Sequence, residues 1–129
     1  MRGIDTNLVV RYLVGDHPAQ SARARELIDG QPVFAPVTVV METEWVLRST
    51  YGFAAKDVIQ AIRTFAGLAT VTVEDAASVA AALDLAENGL DFADALHLVR
   101  SAHCAVFASF DRKFLKRAKS AGYANVEEA

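Results

Sequence analysis

The sequence predicts an α/β protein in which a parallel sheet is covered by helices, and three observations lead there. Apolar segments of strand length alternate with longer segments of helical period. The 129 residues match one ordinary domain and suffice to bury a single hydrophobic core, so one domain over residues 1–129 is expected, without repeat or linker. Asp5 and Asp111 each stand just past a predicted strand, where open α/β sheets build their ligand sites.

A very short first strand is expected at residues 3–5, followed by a helix that carries Leu8, Val9, Tyr12 and Leu13 and ends near Gly15. Asp16-His17-Pro18 opens a second helix, because proline suits a first turn, and Ala24, Leu27 and Ile28 form its apolar stripe as far as Gly30. Residues 32–35 read as the second strand. Residues 38–51 read as a helix stopped by Gly52, and residues 55–66 as another with Val58, Ile59, Ile62 and Phe65 inward. The β-branched run at 70–73 makes a third strand, and Asp75 starts a helix that reaches Asn88-Gly89. Asp91 caps a helix over residues 92–102, a strand follows at 106–109, and Asp111 leads into a basic helix over 112–120. Asn125 and Val126 add a final short strand.

Composition bounds the function. Apolar residues make up 53% and charged residues 22%, a globular balance. A net charge of -3 provides no general field for a polyanion, so nucleic-acid binding has to come from a local patch or from bound cations. The single cysteine, Cys104, excludes an internal disulfide and a cysteine-based zinc site, and its apolar run, residues 104–108, predicts a buried small hydrophobe. Asp5 falls where a signal peptide needs a long apolar region, and no run approaches the roughly 18 to 20 apolar residues needed to cross a bilayer. A soluble, cytoplasmic protein without membrane contact is expected.

The placement of four acids points to chemistry. Asp5 and Asp111 read either as ligands or as helix N-caps, a role worth about 0.5–2 kcal/mol. Glu42 has Thr38, Val39, Trp45 and Val46 three and four positions away, a mostly apolar face without a cation, and so reads as a directed ligand. Glu44, by contrast, has Arg48 four residues on and reads as a solvated surface pair. Asp94 is a second acid one turn into a helix that Asp91 already caps, with only His97 as a possible partner. Its structural alternative is a favourable interaction with the helix dipole. Convergence of four carboxylates raises pKa values and destabilises an empty site, a penalty that a divalent cation removes. Hard oxygen donors suit Mg²⁺ or Mn²⁺, and no His or Cys pair has zinc-ligand spacing. Such a site fits phosphodiester hydrolysis.

Four stretches in order carry a resemblance: Asp5-Thr6-Asn7 after a minimal strand, the helix from Met41 to Arg48, Asp91-Phe92-Ala93-Asp94-Ala95-Leu96-His97-Leu98, and Ser109-Phe110-Asp111-Arg112. Together with the run from Arg11 to Asp16 they make the chain resemble the PIN-domain family, and more narrowly the VapC-like toxins of toxin–antitoxin pairs. The resemblance covers nearly the whole chain. It implies a three-layer α/β/α fold with a central parallel sheet, a Mg²⁺- or Mn²⁺-dependent endoribonuclease activity, frequent homodimerisation and an antitoxin that blocks the site with its C-terminal segment. Carried onto this sequence, it makes Asp5, Glu42, Asp94 and Asp111 the catalytic, metal-binding acids, with Asn7 and Ser109 as supporting polar residues. Ser109 stands where threonine is common and keeps the hydroxyl.

Arg112, Lys113, Lys116, Arg117 and Lys119 follow Asp111 closely and read either as a solvated helix face or as a grip on an RNA backbone, with Arg11 a further candidate. Trp45, Phe34, Phe65, Phe92 and Phe107 sit in apolar patterns and read as core rather than as base-stacking platforms. His17 and His103 read as surface residues, and His97 lacks the nucleophile of a hydrolase triad. Two rivals stand beside the nuclease. An aspartyl-phosphate phosphatase or phospho-acceptor domain would use Asp5, yet such phosphatases place a second aspartate two residues on, where this chain has Asn7, and that reading leaves Glu42 unexplained. The other is a PIN-like module that binds RNA or protein without cutting.

Overall fold

The strands of this protein are short, and parallel order is imposed by the helices between them. The computed structural model describes all 129 residues. The chain folds as two compact units, Met1–Ala76 and Ala77–Ala129. No helix is long and apolar enough to cross a membrane.

The first unit runs β1 (Arg2–Gly3), α1 (Thr6–Val14), α2 (Pro18–Gly30), β2 (Val33–Ala35), α3 (Val37–Trp45), α4 (Ala55–Ala66) and β3 (Val71–Val73), with a π-helical turn, Val46–Thr50, continuing α3. Its sheet has the order β1-β2-β3, with both pairs parallel, Gly3 opposite Phe34 and Phe34 opposite Thr72. The Ile4 amide donates to the Phe34 carbonyl at 2.9 Å, so the ladder reaches almost to Asp5. The central strand is the most enclosed: Val33 and Ala35 have no exposed surface, while Thr72 on β3 alternates outward between Val71 and Val73. Gly15, at φ +72°, closes α1, a conformation glycine adopts without strain. Pro18 opens α2 as expected, and exposed His17 has a structural task, its Nδ1 accepting from the Gln20 amide.

The second unit holds α5, whose span Ala76–Glu87 starts at the boundary residue, then α6 (Phe92–Arg100), β4 (Phe107–Ser109), α7 (Arg112–Ser120) and β5 (Val126–Glu128). β4 and β5 pair in parallel, with Phe107 opposite Val126. Phe114, Leu115 and Ala118 bury one face of α7 and leave its cations outside. Seven helices with exclusively parallel strand pairs are compatible with the expected three-layer α/β/α class.

Three expectations about individual residues are corrected. Val40, Thr43, Glu44 and Leu47 form the buried stripe of α3 and its π-helical continuation, spaced three and four residues apart. That phase turns Glu44 inward, 5% exposed, where Arg48 Nε binds its carboxylate at 2.9 Å; the carboxylate is buried rather than solvated, while the arginine stays partly exposed. The same phase turns Trp45 outward, 55% exposed, although Phe65 and Phe92 are core as expected and Phe34 and Phe107 are half-buried. Cys104 is exposed, because it lies in the turns between α6 and β4 rather than in the strand.

Candidate active site

In the first unit, the short ladder ends where α1 must begin, and Asp5 occupies that junction. Its Oδ1 accepts from the Leu8 amide at 3.0 Å, so the capping reading holds for one oxygen of an exposed carboxylate. The phase that buries Glu44 leaves Glu42 exposed, and the Thr6 hydroxyl donates to Glu42 Oε1. Asp5, Asn7 and Glu42, far apart in sequence, therefore line one open cleft of about 550 Å³, together with Arg11, Thr50 and Tyr51.

Arg11 is fixed rather than free. Its Nε donates to Gln20 at 2.8 Å, Nη1 to the Tyr51 hydroxyl at 3.2 Å, and Asp16 lies 3.6 Å from Nη1. Tyr51 in turn donates to Asp16. The guanidinium thus forms a positive wall beside two carboxylates, held in place by side chains of α2 and of the segment after α3.

In the second unit, Asp91 caps α6 by accepting from the Asp94 amide at 3.2 Å, as its position suggested. Asp94 is half-buried on the first turn, and its pKa is raised chiefly by burial, then by the charge of Asp91. His97 opposes the shift, while the negative charge of Asp111 adds to it, so Asp94 and Asp111 feel one another's charge. Asp111 Oδ1 caps α7 through the Phe114 amide, and the Asp111 amide donates to the Ser109 hydroxyl at 3.0 Å. Ser109 thereby holds the backbone that presents Asp111.

Two acids in each unit are brought together in this way. Within neither unit do three or more His, Cys, Asp or Glu side chains gather into a group that could hold a metal. The donor set is carboxylate oxygen, and Mg²⁺ is commonly bound through one or two carboxylates with waters completing its shell, so the residues present fit a hard divalent cation.

The basic helix contributes fewer free cations than its sequence offers. Arg112 Nε binds Glu128 at 2.6 Å, and Arg117 Nη1 donates to the Gly89 carbonyl at 2.7 Å. Lys113, Lys116 and Lys119 remain exposed without a carboxylate partner. Three contributors escaped the sequence reading: Thr6, Tyr51 and Glu74, whose Oε1 accepts from the Val37 amide at the start of α3, the helix that carries Glu42. Thr6 lies between two nominated residues, so a polar side chain reaching the site was foreseeable there. Tyr51 depends on the π-helical turn, which no periodicity announces.

Compared with models of known families, residues 4–120 match the PIN domain. Comparison with curated proteins gives no match. PIN domains are generally nucleases and typically use divalent metals. The matched span omits only the first three and last nine residues and takes in Asp5, Glu42, Asp94 and Asp111, so both units fall within it. With that span, this element order and these paired acids, the chain belongs to the PIN-domain family.

Proposed function

We propose that this protein is a Mg²⁺- or Mn²⁺-dependent endoribonuclease, with Asp5, Glu42, Asp94 and Asp111 as its metal-binding acids and Asn7 and Ser109 in support, in a single domain over residues 1–129. The observation that carries the reading is the pairing of acids remote in sequence: Asp5 with Glu42 on one cleft, Asp94 with Asp111 within electrostatic reach. Like charges placed together raise the energy of the bare protein, and a cation offsets that cost. When bound, such an ion supplies charge neutralisation, Lewis acidity toward phosphoryl oxygens and acidification of water.

The chain's own residues do the positioning. Thr6 fixes one oxygen of Glu42, the Leu8 amide fixes one oxygen of Asp5, and Ser109 with the Phe114 amide fixes Asp111. Fixed carboxylates need no reorganisation as the phosphodiester reacts, which is the main protein contribution to such catalysis. Arg11 faces the same cleft as a phosphate contact, while Lys113 and Lys116, with Arg112 beyond its Glu128 pair, hold the RNA backbone and offset the net charge of -3. The VapC-like resemblance of the motifs extends this to the toxin of a toxin–antitoxin pair, cytoplasmic and homodimeric, restrained by an antitoxin protein. Discovery of a short reading frame just upstream, encoding a DNA-binding fold with an amphipathic tail, would support that role.

The test is incubation of structured and unstructured RNA with Mg²⁺, with Mn²⁺ and with EDTA. Cleavage that requires metal and disappears in Asp5→Asn is the expected result. Binding without cleavage under every condition overturns the enzyme in favour of a silent RNA-binding module.

A further inference from the structure

A second pocket, of about 270 Å³, lies between α1 and α2 and shares Asp5, Asn7 and Arg11 with the acidic cleft. Its α2 side is a single helix face, because Gln20, Arg23, Ala24 and Leu27 follow the three-and-four spacing. Leu8, Ala24 and Leu27 give it an apolar floor, and Arg11, Gln20 and Arg23 give it a cationic, hydrogen-bonding wall. The two arginines differ in their engagement. Arg11 is held by Asp16, Gln20 and Tyr51, whereas Arg23 is exposed and pairs with no carboxylate.

We propose that this pocket is a subsite for one nucleotide of single-stranded RNA, with Arg23 contacting a phosphate and the apolar floor receiving the sugar or base. The inference rests on the nuclease reading and adds to it the place of a neighbouring nucleotide. Size favours a single nucleotide, since the volume lies near the lower end of ligand pockets, roughly 300 Å³. Charge favours a phosphate: a guanidinium presents a planar fork of donors that matches two phosphate oxygens, and an unpaired one has no internal bond to break. Position favours the reacting strand, because the pocket and the acidic cleft meet along Asp5, Asn7 and Arg11. None of the basic residues nominated from sequence pattern is Arg23, which stands apart from the cluster of residues 112–119.

The experiment measures equilibrium binding of a short fluorescent oligouridylate in Ca²⁺ across a salt series, alongside cleavage of the same oligomer in Mg²⁺ or Mn²⁺. Arg23→Ala is compared with Arg23→Lys and with Arg25→Ala, a cation of the same helix outside the pocket, and thermal unfolding checks that each variant folds. Arg23→Ala is expected to weaken binding about tenfold and to flatten the plot of log affinity against log salt by about 0.7, the loss of one phosphate contact to a single strand. Arg23→Lys recovers part of the affinity, and Arg25→Ala leaves both quantities near wild type. Any cleavage should show the loss in KM with kcat little changed. Equal effects of Arg23→Ala and Arg25→Ala, an unchanged salt slope in Arg23→Ala, or no binding by the wild type overturns the subsite. Binding with the predicted Arg23 dependence but no cleavage overturns the nuclease reading alone.

Discussion

Asp94 shows how placement acts on a single carboxylate. The dipole of α6 favours its charge by a few tenths to about 1 kcal/mol, yet the net shift disfavours ionisation, so burial and the charges of Asp91 and Asp111 win. A folded-state pKa above the unfolded one means that the native state holds this proton more tightly. The associated stability is fully present below the unfolded pKa and is lost as pH rises through the folded value. Asp94→Asn removes the ionised form, so the variant is expected to unfold at higher temperature than wild type at neutral pH without metal. The gain is about 0.5 kcal/mol after solvent screening. It should vanish in acid, below the unfolded carboxylate range, and shrink when Mg²⁺ is added; thermal scans over pH with and without the ion check both. Residue chemistry is legible in the sequence where it is local. Asp5, Asp91 and Asp111 sit at helix starts, and a cap depends only on the next three residues. Glu44 is buried where a solvated acid was expected, because the buried face of α3 is set by what packs on it, and an arginine four residues on does not announce that face.

Elements are legible in proportion to their amphipathicity. The helices over residues 55–66 and 112–120 have the bounds expected of them, since both separate apolar from polar positions sharply. Residues 38–51 read as one helix, but the structure gives α3 and then a π-helical turn, a change of register that leaves the apolar pattern nearly intact. The beginning of α3 is also hidden. Pro36 offers no side-chain cap, and the Val37 amide donates instead to Glu74 Oε1 at 2.9 Å, from just beyond β3. A cap borrowed across 37 positions has no sequence signature. Because α3 carries Glu42, this cap supports the site from outside it. Glu74→Ala is expected to lower stability by about 1 kcal/mol, the usual worth of an N-cap. Urea denaturation should show a lower midpoint at unchanged slope; an unaltered midpoint would mean that the interaction contributes nothing net.

At the scale of the molecule, the α/β class follows from alternating strand and helix periods, and the family match over residues 4–120 agrees with it. What periodicity cannot supply is which acids act together, because that depends on tertiary placement. The central claim is that Asp5 with Glu42 and Asp94 with Asp111 serve one metal-dependent reaction. Residues that act as a unit are strongly non-additive, whereas independent contributions multiply. The most direct measurement is therefore the RNA cleavage rate of wild type, Asp5→Asn, Asp94→Asn and the double variant across a Mg²⁺ or Mn²⁺ titration, with folding checked by thermal unfolding. Each single variant is predicted to lose on the order of 100-fold or more, and the double variant to lose little beyond either. Full activity in Asp94→Asn, or losses that simply multiply in the double variant, would contradict the claim.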